Sequence, residues 1–431
     1  MNNIITKIIN RARRFFKEFY RIPYCVPAWG IPEHLAILRC LLTGRIVKGN
    51  DTEQLFDMVR AKTGKPFVFG YNSGREAIMA ALKTRIKCQD DKVIMPSYCC
   101  ETVAQAVVSS GASIVFCDIG DDFNPDVDHI LTLVDPGVKA IVFPHMFGNP
   151  GRIDLLEDAL NKRNLRSDIL IIDDAAQSFG AQLNGRLVGT FGDAGIISFG
   201  PGKTMTATGG GLLITENRDL ADQLDQMTSC SFPLWKKIKK IFYWLVFRRW
   251  RRFTLPFYPV FRSLFAQIQG DADIVYTICN VDAVISIKQL ENLDKFIRVR
   301  IERKKRLDNL LSLCSTKFSL LPSNEEAGIR VNVATKYLIK INKDCVDNLM
   351  KSFRNNYLDE CGVELFDLYE PIHLKQKYAQ GEIELPRTIC VYLNNMQIPV
   401  EPSVSDKSFN LVYNSLRELV NSIQSNIAIT K

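Results

Sequence analysis

Between about Gly64 and Glu216 the chain alternates short apolar, β-branched runs with stretches of helical character. The runs are "KVIMPS", "SIVFCDI", "AIVFPHMF", "DILIIDD" and "GIISFG". This rhythm predicts a mainly parallel sheet with helices on its faces, an α/β fold. Such sheets bind ligands beyond the carboxyl ends of their strands, so the residues just after each run are where chemistry is expected. From Val281 to Ser312 the apolar positions recur three and four apart, which predicts one long helix linking to a second domain. Beyond it, "ATKYLIKI" and "GVELFDLY" read as strands and "DKSFNLVYNSLRELVNSI" as a closing helix, together a small α+β domain.

The chain has 431 residues, more than one hydrophobic core usually supports. The pattern divides it into a lead-in over 1–50, a large domain over 51–312 and a small domain over 313–431. Apolar residues make up 46% and charged residues 24%, ordinary globular usage. No stretch reaches the ~20 apolar residues of a spanning helix, and no apolar run with a small-residue cleavage site opens the chain. A cytoplasmic protein is expected. The twelve cysteines form no C-x-x-C pair and have no His-rich neighbour, which favours reduced thiols over a zinc site or a disulfide framework.

Charge changes the picture through its placement. Residues 1–24 carry Lys7, Arg11, Arg13, Arg14, Lys17 and Arg21 against Glu18, a net +5, and residues 236–252 carry four Lys and four Arg without an acid, a net +8. The whole chain is +8, so the remainder is −5: a mildly acidic body with two basic segments.

Three places could carry chemistry. "DILIIDD" ends in Asp173 and Asp174, followed by "AAQSFGA". A carboxylate at a buried strand end needs a cationic or hydrogen-bonding partner. A protonated pyridine nitrogen would serve, although an isolated Asp at such a place reads first as a helix N-cap. Some way on, "AGIISFGPGKTMTATGGGLLIT" sets Ser198, Lys203 and Gly209 to Gly211 around another strand end. Lys203 alone would read as a solvated cation. Held near strand ends beside a cationic cofactor, its amine would lose its proton more easily and become free for imine formation. Upstream, "GYNSGREAIMAALKT" places Ser73 and Gly74 at a helix start, with Glu76 completing a capping box. The same helix start offers free N–H groups to a phosphate.

In this order the three resemble the DegT/StrS family of sugar aminotransferases, of the aspartate aminotransferase-like fold. The resemblance runs from about "FGYNSGREA" to "VYNSLREL" and is carried by "DDAAQSFGA", "GRLVGTFGDAGIISFGPGK", "GGGLLIT" and "FPHMFGNP", with "QLENLDKFIRVRIERKKRLDNLL" and "PIHLKQKY" in support. It implies pyridoxal 5'-phosphate as cofactor and Lys203 as the residue that carries it as a Schiff base and moves the proton. It also implies Asp174 at the pyridine nitrogen, Gln177 at the ring or its phenolic oxygen, and Ser198 with the backbone of Ser73 and Gly74 at the phosphate. His145 matches a family histidine near the pocket, with a packed structural role as the alternative. Two positions depart from the family. Cys100 stands in the cofactor pocket where an aromatic residue often covers the ring, with Tyr98 nearby, and Val275 stands where an asparagine reaches the neighbouring subunit's phosphate. Arg75, a Thr in many relatives, is either a compensating cation at the cofactor or a solvated helix-start residue.

The activity so implied moves an amino group from an amino-acid donor, glutamate in relatives, to a nucleotide-linked keto-sugar for a surface polysaccharide or lipopolysaccharide, with a homodimer as the working form. A pyridoxamine-dependent sugar dehydratase is the enzymatic alternative. Relatives of that kind have histidine in place of the lysine, so "GPGK" speaks against it. A non-catalytic, membrane-associated member is the other alternative. Residues 230–270 interrupt the family pattern: basic clusters flank the apolar centre Ile241 to Phe247, with Trp235, Trp244 and Trp250 among the cations. In the N-terminal segment Ile4, Ile5, Ile8, Ile9, Ala12, Phe15, Phe16 and Phe19 share one helical face. Docking of 1–24 and 236–252 on the inner membrane surface is the preferred reading, since each cation near anionic lipid contributes up to ~1 kcal/mol. Packing on the acidic body or a dimer partner is the second, and nucleic acid, for which no reader motif is present, the last.

Overall fold

The computed structural model describes residues 27–227, 229–248, 273–315, 318–320, 329–341, 369–379, 381 and 383–429. Helices α1 (Ile31–Thr43) and α2 (Asp51–Thr63) lead into β1 (Phe67–Tyr71) and α3 (Gly74–Lys83). Then β2 (Lys92–Pro96), α4 (Glu101–Ser109), β3 (Ser113–Cys117), α5 (Val127–Leu133), β4 (Val138–Pro144), α6 (Ile153–Lys162) and β5 (Leu170–Asp174) alternate. A short hairpin of β6 (Gln182–Leu183) and β7 (Arg186–Leu187) precedes β8 (Ala194–Ser198) and β9 (Gly211–Thr215).

Seven of these strands form one sheet in the order β1–β9–β8–β5–β4–β2–β3. Strands β3, β2, β4, β5 and β8 run parallel, and β9 runs antiparallel to both β8 and β1. The five apolar runs of the sequence are thus the five parallel strands. Every residue of β5 and β8 is buried. Along β5, Leu170 and Ile172 pack with Val93 and Met95 on one face, while Ile171 packs with Ile141 and Leu156 on the other. Each such buried Leu or Ile contributes ~1.5–3 kcal/mol, which makes the sheet centre the rigid part of the fold.

After β9 come α7 (Arg218–Asp225) and α8 (Leu234–Phe242), the latter continued by a wider helical turn over Tyr243–Arg248. Residues 249–272, the rest of the basic insert, lie outside the described residues, as do residues 1–26. The long helix expected from Val281 to Ser312 is two helices, α9 (Asn280–Glu291) and α10 (Leu293–Leu311). They part at Asn292, whose side-chain amide donates to the Lys288 carbonyl at 2.9 Å. Short polar side chains that bond local backbone in this way compete with helix continuation.

The last described elements are β10 (Phe318–Leu320), β11 (Arg330–Val331), β12 (Tyr337–Ile341), α11 (Pro386–Asn394), β13 (Asn395–Ile398) and α12 (Asp406–Ile429). Strands β10, β12 and β13 form a small sheet. Its core joins Tyr337, Ile339 and Ile398 to Phe409 and Leu416 of α12 and to Leu307 of α10. The closing helix and the strand at "ATKYLIKI" are where the sequence puts them; the strand expected at "GVELFDLY" lies, but for Tyr369, outside the described residues.

Not all cations of the basic segment are at the surface. Lys237 is fully buried and pairs with Asp282 of α9, whose other oxygen accepts from Thr208 Oγ1. Lys237, Ile241 and Trp244, four and three residues apart, are the inward stripe of α8 and its extension. Breaking a buried ion pair from one side costs about 3–5 kcal/mol, whereas replacing both partners by apolar residues costs far less. Asp282→Ala is therefore expected to lower the urea midpoint of unfolding markedly. The double variant Lys237→Met/Asp282→Leu is expected to recover most of that loss, as read by circular dichroism.

Candidate active site

The parallel strands end along one edge of the sheet, and the sequence-derived candidates gather there. Ser73 and Gly74 follow β1, Tyr98 to Cys100 follow β2, and His145 follows β4; Asp174 ends β5 with Gln177 just after it, and Ser198 ends β8 ahead of Lys203.

Asp173 and Asp174 point to opposite faces, as successive strand residues must. Asp173 is met from within: its Oδ2 accepts from Gly189 N–H (2.6 Å) and Phe191 N–H (2.9 Å), and its Oδ1 lies 2.8 Å from His145 Nε2 in an ion-pair contact without hydrogen-bond alignment. Gly151 N–H donates to His145 Nδ1 at 2.8 Å, which puts the imidazole proton on the nitrogen facing Asp173. His145 is thereby a buried brace between strand ends. Asp174 is on the other face, where it receives one hydrogen bond among the described residues, from Ala176 N–H at 2.9 Å. Burial pushes its carboxyl pKa up, and the positive charge of Lys203 works against that rise. The thiol of Cys99, in the same surroundings, is pushed up by burial too.

Lys203 sits on the turn between β8 and β9. Its ammonium has no hydrogen bond or ion pair among the described residues. Its backbone is held from α10: Arg300 donates to the Thr204 carbonyl at 3.2 Å and to the Lys203 carbonyl at 3.4 Å. Burial lowers the Arg300 pKa to about 10.

Ser73 is the N-cap of α3. Its Oγ accepts from Glu76 N–H at 3.3 Å and donates to Glu76 Oε1 at 3.2 Å, so the hydroxyl is spent on the cap and Gly74 heads the helix start. The start of β9 presses against this turn. A β-carbon on Gly211 would lie 2.5 Å from Gly74 N, and one on Gly74 would lie 3.2 Å from Ser198 Oγ. Gly210 has φ +97, a conformation open to glycine. The glycine run thus permits Ser198, Gly74 and β9 to meet in one small cradle.

Gln177 is buried, with Nε2 donating to Tyr369 Oη at 3.4 Å and Oε1 without a hydrogen-bond partner. Cys100 is the N-cap residue of α4, half-buried, with Sγ 3.1 Å from Thr102 Oγ1. Tyr98 is fully buried among Phe123, Phe147 and Tyr369, inside the core and not over the pocket as a free ring. Arg75 is half-buried with its guanidinium 3.8 Å from Glu76 Oε1. The side chain of Val275 is packed in the apolar core, so that position offers no polar contact.

These features fit a phosphorylated pyridine. The cradle accepts an anion at a helix start, Asp174 is a carboxylate short of a partner, and Gln177 has an unpaired oxygen for a ring substituent. Several flanking residues were not singled out from sequence. Arg300 is one. Tyr369, the partner of Gln177, stacks on Phe147 at 6.2 Å, Lys336 Nζ lies 5.0 Å from the Tyr369 ring centre, and Ser97 Oγ lies 2.6 Å from His373 Nδ1. The only signal for the last was "PIHLKQKY".

The model of the DegT/DnrJ/EryC1/StrS aminotransferase family matches residues 32–417. Among curated relatives, the UDP-N-acetyl-3-dehydro-alpha-D-glucosamine 3-aminotransferase of Acidithiobacillus ferrooxidans is 34% identical over 210 residues, 46% of this chain and 56% of that protein. The match thus spans just over half that relative's length. The spore coat polysaccharide biosynthesis protein SpsC of Bacillus subtilis is 22% identical across 94% of this chain and 98% of its own. Among solved structures, the aminotransferase TlmJ from Streptoalloteichus hindustanus superposes with a TM-score of 0.75 at 22% identity, over 94% of this chain and all of that one. Helicobacter pylori PseC, an aminotransferase of pseudoaminic acid biosynthesis, gives 0.74 at 15% identity, over 93% of this chain and 100% of that one. The fold is common to them all.

Arg300→Met would leave the Thr204 and Lys203 carbonyls without their buried donor, at a cost of about 1–3 kcal/mol. It is expected to lower the melting temperature and to reduce kcat by about tenfold or more through a misplaced Lys203. Equal kcat in the two proteins would assign Arg300 to stability alone.

Proposed function

From the premise that the chain belongs to the DegT/DnrJ/EryC1/StrS aminotransferase family, we propose that it moves an amino group from glutamate to a nucleotide-linked keto-sugar, using pyridoxal 5'-phosphate. The observation that carries this reading is the convergence of Lys203 and Asp174 on one face of the sheet edge, beside the Ser198 and Gly74 cradle. Bound there, pyridoxal phosphate supplies an electron-accepting ring that stores the amino group between the two halves of the exchange. Asp174 holds a proton at the ring nitrogen. Lys203 Nζ would anchor the cofactor and serve as the base that moves the proton. Ser198 Oγ and the backbone at the start of α3 would hold the phosphate, and Gln177 would contact the ring or its substituent. Tyr369, bonded to Gln177, with Lys336 beside its ring, would be the side chains next to an incoming sugar. A lysine at 203 in place of histidine speaks against the dehydratase alternative.

The relatives support the substrate class. One is named for a UDP-linked keto-sugar, and SpsC for a coat polysaccharide. For this chain the product is read as an amino sugar of a surface polysaccharide or lipopolysaccharide, and the working form as a homodimer. Wild type with pyridoxal phosphate is expected to show visible absorption that bleaches on adding glutamate and returns with the keto-sugar. Lys203→Ala is expected to lose that absorption, with transamination down by about 10²–10⁴ or more. Asp174→Asn is expected to keep the absorption and lose the turnover. A wild-type spectrum indifferent to glutamate would instead favour the non-catalytic reading.

A second reading concerns place. Among the described residues no helix is long and apolar enough to cross a membrane. Two helices nevertheless present apolar faces outward. On α1, Ile31, Leu35, Leu38 and Leu42 are exposed at spacings of four, three and four, with Ile31 at 75% and Leu42 at 79%. On α8 the exposed apolar residues are Leu234, Trp235, Ile238 and Phe242. The Trp29 and Trp244 rings, 5.5 Å apart, bring the two together. The only acid on either helix, Glu33, is buried and bound to Gln289, whereas Arg39, Arg45 and Lys239 are exposed nearby. Pairing two copies through this face would set like charges together, while anionic headgroups complement it. We propose that this face rests on an anionic membrane surface, continuous in sequence with the basic residues of 1–24 and 249–252. Wild type is expected to float with phosphatidylglycerol-containing vesicles and not with phosphatidylcholine alone. The variant Leu35→Glu/Trp235→Glu is expected to stay at the bottom with an unchanged melting temperature. Flotation equal to wild type would end the docking idea.

A further inference from the structure

The inner face of α8 reaches toward the cofactor cradle. Three residues beyond the buried Lys237, the side chain of Lys240 passes the Phe232 ring, with Nζ 5.9 Å from its centre, and ends at the glycine run. A β-carbon on Gly209 would lie 2.5 Å from Lys240 Nζ and 3.4 Å from the Asn72 carbonyl oxygen. That same carbonyl accepts from Gly210 N–H at 2.7 Å, Gly211 abuts Gly74 N, and Gly74 abuts Ser198. The ammonium therefore sits beside the cradle formed by the start of α3 and the end of β8.

Its surroundings leave it short of an anion. Asp282 is held by Lys237 and Thr208. Glu76 is held by Asn72, Ser73 and the Tyr276 N–H. Among the described residues no hydrogen bond or ion pair reaches Lys240. Burial, and after it the charge of Lys237, lowers its pKa to about 8. Lys240 is half-buried, with its ammonium beside the glycine run and open to an anion, and a phosphate group is the anion this cradle suits. The other cation at the helix start, Arg75, is already beside Glu76.

We propose that Lys240 binds the phosphate group of the cofactor, so that the basic insert supplies a side chain to the active site of its own subunit. This rests on reading the site as one for pyridoxal phosphate. The insert then serves two surfaces with one helix: Lys240 inward at the cofactor, apolar residues outward.

The test compares pyridoxal 5'-phosphate with pyridoxal, which lacks the phosphate but forms the same link to Lys203. Binding of each is titrated by visible absorbance in wild type, Lys240→Met and Lys240→Arg. Lys240→Met is expected to weaken pyridoxal phosphate by about 10- to 100-fold, the range of a lost charge-assisted hydrogen bond, and to leave pyridoxal unchanged. Lys240→Arg is expected to restore most of the loss. Lys240→Gln serves as the neutral variant if the methionine protein does not fold. Equal weakening of both ligands would make Lys240 a structural residue and overturn the proposal, as would no weakening of either. Wild type that links neither ligand would fail the cofactor reading itself, an outcome distinct from these.

Discussion

The site depends on one enclosed carboxylate. Asp174 ends a strand in which every residue is buried, at the middle of a parallel sheet, and one backbone N–H is its share of solvation from the described residues. Its neighbour Asp173 has two backbone donors and a histidine. The difference between the two is the chemistry of the protein in small. Asp173 is satisfied by the fold and braces it, while Asp174 is left with an unmet preference for a positive charge. Lys203 answers part of that preference from the next strand end, and in the proposed reading a protonated ring nitrogen would answer the rest. Keeping the two on one edge requires β5 and β8 to run parallel, and holding the lysine turn in place requires Arg300.

The insert gives this frame its individual character. Helix α8 is fixed to the body through Lys237 and Asp282, and that anchor sets the orientation of both its faces. The inner face delivers Lys240 to the glycine run, and the outer face joins the apolar stripe of α1 through the Trp29 and Trp244 contact. Trp29 in turn donates to the Thr206 carbonyl, on the same turn as Lys203. A load on the outer surface is thereby mechanically close to the lysine turn. In the proposed reading, the membrane-facing side and the catalytic side of the protein are two sides of the same short helix.

Much of this is legible in the sequence. Each apolar run became a parallel strand because buried strands leave little choice of composition. Ser73 and Glu76 formed the capping box that their spacing implied. Other features were hidden for physical reasons. Asn292 ends a helix through a bond to its own backbone, which apolar periodicity does not register. Arg300 sits in a basic helical run and looks solvated, yet it is buried because its partners lie almost a hundred residues upstream. Lys237 and Lys240 belong to a dense cluster of cations, and only the packing of α8 separates inward lysines from outward ones. The exposed apolar face of α1 is not legible because the pattern of residues 31–43 does not say which of its apolar residues are buried.

The central claim is that Lys203, and no other lysine, carries the cofactor opposite Asp174. Reduction of the pyridoxal phosphate-loaded protein with borohydride, followed by peptide mapping by mass spectrometry, tests it most directly. The account predicts one phosphopyridoxyl group per chain, on Lys203 within "AGIISFGPGK". A label on Lys240 or on scattered surface lysines, or no label at all, would contradict it.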